Sequence, residues 1–209
     1  MAMRYVENHR RQTHSRIVEN ASCGLRQKGA KGRSVADLMK LAGPTHGGFY
    51  NHFVSRAALV GEAIAFAMDQ MTERWKKPAN GKANGDRFEA LIADYLGPRH
   101  RDNPEHGCAL PALAADVARS NPSERLALAS KLKKMIDVLV ELLPDEAPQQ
   151  ARQIAMGAIA TLVGSIVLSP AVGAGDLSDG ILDAGRMTAG GQIRKPRRRA
   201  IKAMRYDKS

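Results

Sequence analysis

The sequence predicts an all-α fold, with a small N-terminal three-helix unit followed by a larger helical body and about nine helices in all. Apolar residues recur at spacings of three and four along successive segments, which is the period of an amphipathic helix. No segment combines β-branched residues with alternating polarity, so no sheet is expected. The chain has 209 residues, of which 44% are hydrophobic but only 4% aromatic. This composition suits two small units built mainly from Ala, Leu and Met.

Residues 33–52 predict two short helices joined by a tight turn. Ser34 is the expected N-cap of the first, because its hydroxyl can accept a hydrogen bond from an amide three residues on. Gly43 and Pro44 favour the end of that helix and the start of the next. Thr45 then begins the second helix, whose first turn carries little side-chain bulk. This geometry is typical of a helix-turn-helix whose second helix enters the DNA major groove, and the alternative is a surface hairpin with a flexible tip.

The second helix separates groups expected in the core from groups expected on DNA. Phe49 and Phe53 are four residues apart, so both should be buried on one face. Tyr50, Asn51 and His52 point elsewhere and can donate to phosphates or bases. The two glycines before Phe49 each cost about 1 kcal/mol in a helix interior relative to Ala. Close approach of the backbone to DNA would explain them.

Residues 9–69 resemble the DNA-binding domain of the tetracycline-repressor (TetR/AcrR) family of bacterial regulators. The shared pattern is Ser34, Val35-Ala36-Asp37, Ala42-Gly43, a small-residue helix over 45–48, Tyr50-Asn51-His52-Phe53 and Arg56. The chain departs from the family at His46, where Lys is common, and at Leu25-Arg26, where Phe is common. The resemblance implies that DNA is contacted by Ser34, Thr45, His46, Gly47, Gly48, Tyr50, Asn51, His52 and Arg56.

The charge distribution agrees with a DNA-binding N-terminal unit. Residues 1–60 hold ten Lys/Arg against three Asp/Glu, residues 61–193 hold fourteen against seventeen, and residues 194–209 hold eight against one. Arginines before and within the first helix could reach flanking phosphates. A purely solubilising face is the alternative. It explains a basic block less well when that block adjoins a recognition helix.

The apolar spacing predicts further helices over residues 57–75, 86–96, 109–118, 122–143, 146–168 and 177–187. The body spans residues 70–189. Loops are expected at 76–85, which is rich in Gly, Asn and Lys, and at 98–107, which two prolines interrupt. Residues 190–209 form a basic hydrophilic tail that is expected to be disordered, with a possible non-specific contact to DNA.

Residues 154–168 are nearly all apolar but fall short of the ~20 residues that span a bilayer, so no membrane helix is expected. Gly157, Ala158, Gly164 and Ser165 repeat at a spacing of seven, and small residues at such spacing let another helix approach closely. The family resemblance implies a four-helix dimer interface at residues 151–168 and 177–187. A homodimer is therefore expected, and a purely internal core helix is the alternative.

The resemblance also implies a pocket in the body, where an unidentified small molecule would change the spacing of two DNA-binding units and release DNA. An apolar or aromatic effector is preferred, and neither a cofactor nor a metal is expected. The candidate pocket residues are Phe66, Met68, Phe88, Tyr95, Cys108, Leu113 and Met135.

Cys108 leaves three interpretations open. It precedes a predicted helix, whose macrodipole could lower the pKa of the thiol, and His100 and His106 are near in sequence. A thiol-based redox or electrophile sensor is therefore one hypothesis. A zinc site of these three residues lacks a clear fourth ligand. The third interpretation is a small, inert residue that fixes the start of the helix.

The sequence thus predicts a cytoplasmic, DNA-binding transcriptional regulator. The family resemblance further implies a repressor that binds a palindromic operator as a dimer and is released by a small molecule. A non-specific, architectural DNA-binding protein is the alternative. The polar N-terminus does not resemble a signal peptide, and two cysteines suit a reducing compartment. No paired nucleophile and base, phosphate loop or metal cluster indicates an enzyme.

Overall fold

The computed structural model describes residues 2–29, 37, 46–77 and 84–191, which are helical with short connections and contain no strand. Within these ranges the α-helices are α1 Ala2–Lys28, α2 Arg56–Lys76, α3 Asn84–Tyr95, α4 Pro98–Asp102, α5 Ala109–Ala118, α6 Pro122–Glu141, α7 Pro148–Ala171 and α8 Asp176–Gly191. Two 3-10 helices, His46–Asn51 and Pro104–His106, complete the described elements. The all-α prediction is confirmed.

In the N-terminal unit, α1 packs against α2, and the segment before α2 closes the core. Ile17 and Leu25 of α1 are fully buried, as is Leu59 of α2. Phe49 and Phe53 are 1% and 2% exposed, which confirms the prediction made from their spacing. Burying side chains of this size contributes about 1.5–3 kcal/mol each, so these rings fix the 46–53 segment on α1 and α2.

Helix α2 belongs to both units. Ser55 is its N-cap, and the Ser55 Oγ accepts a hydrogen bond from the Ala58 amide at 3.1 Å. The second half of α2 packs against α6, and Met68, Met71 and Trp75 lie in the body core. A movement of this helix would therefore displace both units together.

The predicted loop at residues 98–107 is in fact largely helical, so that prediction is wrong. Pro98 begins α4, and Pro104 begins the 3-10 helix that follows. Proline has no amide to donate, but the first residues of a helix need no intrahelical donor. A further correction concerns the helix predicted over residues 146–168, which extends to Ala171, so that Pro170 lies inside the last turn of α7.

Helix α7 is longer than expected. Its 24 residues correspond to about 36 Å, and it is long and apolar enough to cross a bilayer by length and composition. The expectation that it is too short was therefore wrong. Its buried side chains, including Ala155, Ala158 and Leu162, pack against α5, α6 and α8.

The small residues of α7 divide between two faces. Ala158 and Ser165 are buried within the chain, and Ser165 lies against Gly185 of α8, where an added Cβ would stand 2.3 Å from the Ser165 Oγ. Gly157 and Gly164 are only half-buried. One side of the stripe thus allows α8 to pack closely, and the other side remains on the surface of the chain.

Candidate DNA-binding face and its link to the body

The exposed face of the 46–54 segment carries a phenol above a buried aromatic layer. Tyr50 is 71% exposed, and its ring meets Phe49 edge-on at 5.2 Å between centroids. Asn51 is also exposed, and Val54 is 90% exposed. Because the rings of Phe49 and Phe53 anchor this segment, the Tyr50 hydroxyl is presented to solvent from a fixed backbone.

Helix α1 holds the end of this segment through two contacts. The Arg10 guanidinium donates to the Asn51 carbonyl at 2.7 Å. The His14 ring stacks on Phe53 at 4.5 Å, and its Nε2 lies 2.7 Å from a Glu62 carboxylate oxygen on α2. Arg10 therefore combines a structural contact to Asn51 with an exposed position.

His52 lies deeper than its neighbours. It is half-buried against His14 and Phe53, with ring centroids 6.0 and 6.3 Å away. Its Nδ1 is buried and makes no hydrogen bond among the described residues. Burial, with the nearby His14 and Arg10 charges, lowers the pKa of His52 and favours its neutral form. These features suit a His52 side chain that supports the exposed face from beneath better than one that binds phosphate through a positive charge.

The remaining predicted DNA contacts are located only in part. Ser34 and Thr45 lie outside the described residues. His46, Gly47 and Gly48 form the start of the 3-10 helix His46–Asn51, and Arg56 is the first, exposed residue of α2. The expected α-helical conformation is wrong for 46–51. Two adjacent glycines lower helix propensity, which is consistent with a short 3-10 segment there.

The end of α1 is joined to the body by a buried arginine. Arg26 is 4% exposed, and its Nη1 donates to the Gly107 carbonyl at 2.6 Å, across 81 residues of sequence. Its Nε also reaches the Ser22 carbonyl at 3.3 Å. The sequence shows Leu25-Arg26 as a departure from the family pattern, but nothing in it indicates this role for Arg26.

His100 fixes the turn to which Arg26 is bonded. Its Nδ1 lies 2.7 Å from the Tyr95 carbonyl, and its Nε2 accepts a hydrogen bond from the Cys108 amide at 2.9 Å. Since Nε2 accepts, Nδ1 must carry the proton and donate, which is the neutral tautomer. The ring also meets Tyr95 edge-on at 4.4 Å. His100 thus links the end of α3 to the start of α5.

The zinc and low-pKa interpretations of Cys108 are not supported. Both ring nitrogens of His100 are already engaged, so it cannot also bind zinc in this arrangement. Cys108 is the N-cap of α5, but it is 3% exposed, and burial raises the pKa of its thiol despite the nearby Tyr95 hydroxyl and helix amides. Desolvation therefore outweighs the helix dipole, and the thiol stays protonated.

Most of the predicted pocket residues belong to the packed core. Met68, Phe88, Tyr95, Cys108, Leu113 and Met135 are each at most 3% exposed. Phe66 differs, because it is half-buried and lines a groove between α1 and α2. The Tyr95 hydroxyl is buried beside the Cys108 thiol, which is only a weak partner, and burial raises the pKa of that phenol. A ligand role for these residues stays a prediction.

Exposed apolar side chains concentrate on the last two helices. Within the described ranges, six large ones lie on α7, α8 and their connection: Met156, Val167, Leu168, Val172, Leu177 and Met187. Leu177 and Met187 are 66% and 77% exposed. Exposed apolar side chains grouped on neighbouring helices are typical of a surface that contacts another protein.

We predict that the stability of the protein falls as the pH drops below about 6.5. Burial lowers the pKa of His100 from its ordinary 6.5, outweighing the opposing Tyr95 carbonyl. A histidine that is harder to protonate when folded contributes stability above its unfolded pKa, and that stability is lost as the unfolded state takes up the proton. One such group contributes at most about 1.4 kcal/mol per pH unit.

Urea midpoints between pH 5 and 8 test this prediction. His100→Gln should flatten the profile, leaving a smaller slope from His52, whose pKa is also lowered. His106→Gln changes an exposed ring six residues away and should retain the full slope. Identical slopes in the two variants would contradict the role assigned to His100.

The comparisons with known proteins agree with this architecture. No family model matches the chain. An uncharacterised HTH-type transcriptional regulator of Mycobacterium tuberculosis, recorded in two strains, is 24% identical over 74% of this chain and 82% of its own. Among solved structures, a TetR transcriptional regulator from Chloroflexus aurantiacus has a TM-score of 0.74 at 21% identity, covering 90% of this chain and 97% of that one.

Two further solved structures show the same similarity. Reduced Escherichia coli NemR has a TM-score of 0.73 at 18% identity and covers 85% of this chain and 95% of its own. A TetR-family regulator from Cytophaga hutchinsonii has a TM-score of 0.69 at 18% identity, with 86% and 94% covered. The chain therefore has the fold of the TetR family of transcriptional regulators, as its sequence motifs predict.

Proposed function

We propose that this protein is a cytoplasmic, dimeric transcriptional repressor that binds a palindromic DNA operator and is released by a small molecule. The observation that carries the DNA-binding part is the face formed by Tyr50 and Asn51, anchored by buried Phe49 and Phe53 and flanked by Arg10. A fixed phenol and amide beside a guanidinium suit phosphate contacts that set the orientation of a recognition segment.

The apolar face on α7 and α8 supports dimerisation. Leu168 and Leu177 are exposed in the single chain, and half-buried Gly157 and Gly164 leave room for a partner helix. A second copy that covers this face would bring two DNA-binding units to one duplex. Two half-sites read together raise the affinity far above that of one unit.

The contacts between α1 and the body support regulation by a ligand. The Arg26–Gly107 bond ties the first helix of the DNA-binding unit to the turn that His100 holds. A ligand that favours a different position of α1 or α2 would shift the DNA-binding units. A coupling of about 1–3 kcal/mol is sufficient for release. Cys108 is not assigned a sensing role, since its thiol is buried and its pKa is raised.

Selection of duplexes from a random library, followed by footprinting, tests the proposal. A regulator should enrich one short palindrome and protect it from cleavage. An architectural protein should protect DNA without preference and with a steep dependence on salt. Indiscriminate protection would overturn the proposal.

We predict that Tyr50→Ala weakens binding to the selected duplex by about tenfold per DNA-binding unit, since one hydrogen bond to phosphate contributes roughly 1–1.5 kcal/mol. Tyr50→Phe, which removes only the hydroxyl, should account for most of the loss. The control is Leu126→Ala, which shortens an exposed side chain on α6, away from this face. That variant should bind DNA as the unaltered protein does. Fluorescence anisotropy measures the affinities, and a Tyr50→Ala affinity within twofold of the control would contradict the site.

A further inference from the structure

A groove of about 710 Å³ lies where α1, the second half of α2 and the 3-10 helix Pro104–His106 meet. This volume is within the range of pockets that bind small molecules, roughly 300–1,000 Å³. The groove lies outside the packed core that contains most of the predicted pocket residues, and it shares only Phe66 with them. Its walls include Arg26, Phe66, Asp69, Met71, Glu73 and Lys77.

Among the described residues, the guanidinium of Arg26 in the wall of this groove has only neutral partners. They are the Ser22 and Gly107 carbonyls and, at 3.6 Å, the Cys23 sulfur. Arg26 is almost fully buried, at 4% exposed, and yet no carboxylate in the described ranges bonds to its guanidinium. A buried cation of this kind is stabilised most by an anion with matching geometry, and a carboxylate fits the guanidinium in two parallel hydrogen bonds.

The other charges of the groove leave it positive. Asp69 is paired with Lys131, and Glu73 is paired with Lys76 at 2.8 Å. Arg74 is occupied by both oxygens of Asp94, at 2.7 and 2.8 Å. Both acids in the wall are thus neutralised by lysines from outside it. Arg26 and Lys77 are then the cations of this wall without an acidic partner among the described residues.

We propose that this groove binds a small organic carboxylate, with its head group between Arg26 and Lys77 and its apolar body along Phe66 and Met71. The cations supply charge and geometry for the head group, while the aromatic and thioether side chains supply apolar contact. Such a ligand lies against both α1 and the turn at Gly107. Its effect on DNA binding rests on the proposed function, whereas its binding does not.

The test uses 1-naphthoate as the probe and 1-naphthamide as its neutral isostere, each titrated into the full-length protein by calorimetry. We expect saturable naphthoate binding in the millimolar range or tighter and at least tenfold weaker binding of the amide. Absence of naphthoate binding, or equal affinity for the two compounds, overturns the proposal.

Two lysine variants locate the site without disturbing the core. Lys77→Gln removes a cation that lines the groove and should weaken naphthoate binding about threefold or more. Lys134→Gln removes an exposed cation of α6 that does not line the groove, and should not weaken naphthoate binding. Equal losses in the two variants would show only a general effect of net charge and would overturn the assignment.

Arg26→Gln tests the buried guanidinium itself, with an expected loss above tenfold. Should that variant fail to fold, the lysine pair still decides the question. The outcomes also separate this inference from the proposed function, because calorimetry requires no DNA. If the protein binds naphthoate but selects no duplex, the carboxylate site is supported and the regulatory function is contradicted. If it selects a duplex but does not bind naphthoate, the regulatory function is supported and the carboxylate site is contradicted.

Discussion

Leu168→Arg is expected to convert the protein to a folded monomer and to weaken operator binding by a hundredfold or more. Leu168 is 55% exposed in the single chain and belongs to the apolar face of α7 and α8, so a guanidinium there need not disturb the intramolecular core. In a dimer the same charge would be buried without a partner, which is strongly unfavourable. Loss of the second DNA-binding unit removes an avidity of about 10²–10⁴.

The matched control is Leu126→Arg, which makes the same change at a 73% exposed position on α6. That variant should remain dimeric and bind DNA as before. Sedimentation velocity measures the assembly state, circular dichroism the helix content, and anisotropy the affinity. A dimeric Leu168→Arg protein with full affinity would place the interface elsewhere.

The spacing of apolar residues predicted most of the fold, because each helix buries one stripe of apolar side chains. The interval 109–118 was predicted to the residue, and Phe49 and Phe53 are buried as their spacing requires. The errors occurred where a local rule has two outcomes. Proline ends a helix or begins one, and at Pro98 and Pro104 it begins one. At Pro170 the last turn accommodates it inside α7.

The link between the units could not be predicted from the sequence, because its parts are far apart in the chain. Nothing local indicates that Arg26 will meet the Gly107 carbonyl or that His100 will bridge Tyr95 and Cys108. An arginine in an apolar stretch of α1 was the available signal. For Cys108, position at a helix start suggested a lowered pKa, but burial is a tertiary property and reversed the direction.

Gly107→Ala is expected to destabilise the protein by about 2 kcal/mol and to lower its Tm by roughly 5 °C. A Cβ at this position would stand 2.4 and 2.5 Å from the Cδ2 and Nε2 atoms of His100. The ring cannot move aside freely, since hydrogen bonds hold both of its nitrogens. Either those bonds break or the turn shifts, and a shifted turn also displaces the Gly107 carbonyl from Arg26.

Two comparisons separate this clash from a general effect of removing a glycine. At Gly61, within α2, an added Cβ meets nothing within 4 Å, so Gly61→Ala should stabilise the protein by up to about 1 kcal/mol through helix propensity. In the double variant Gly107→Ala with His100→Ala, the ring is absent, and the added Cβ should cost little beyond the loss of His100, because its remaining close contact is the Pro104 carbonyl oxygen at 3.3 Å. A cost of Gly107→Ala that persists without the ring would mean that the backbone of the turn, rather than its contact with His100, requires glycine. Because the same turn holds Arg26, the strained single variant should also alter DNA affinity, which Gly61→Ala should leave unchanged.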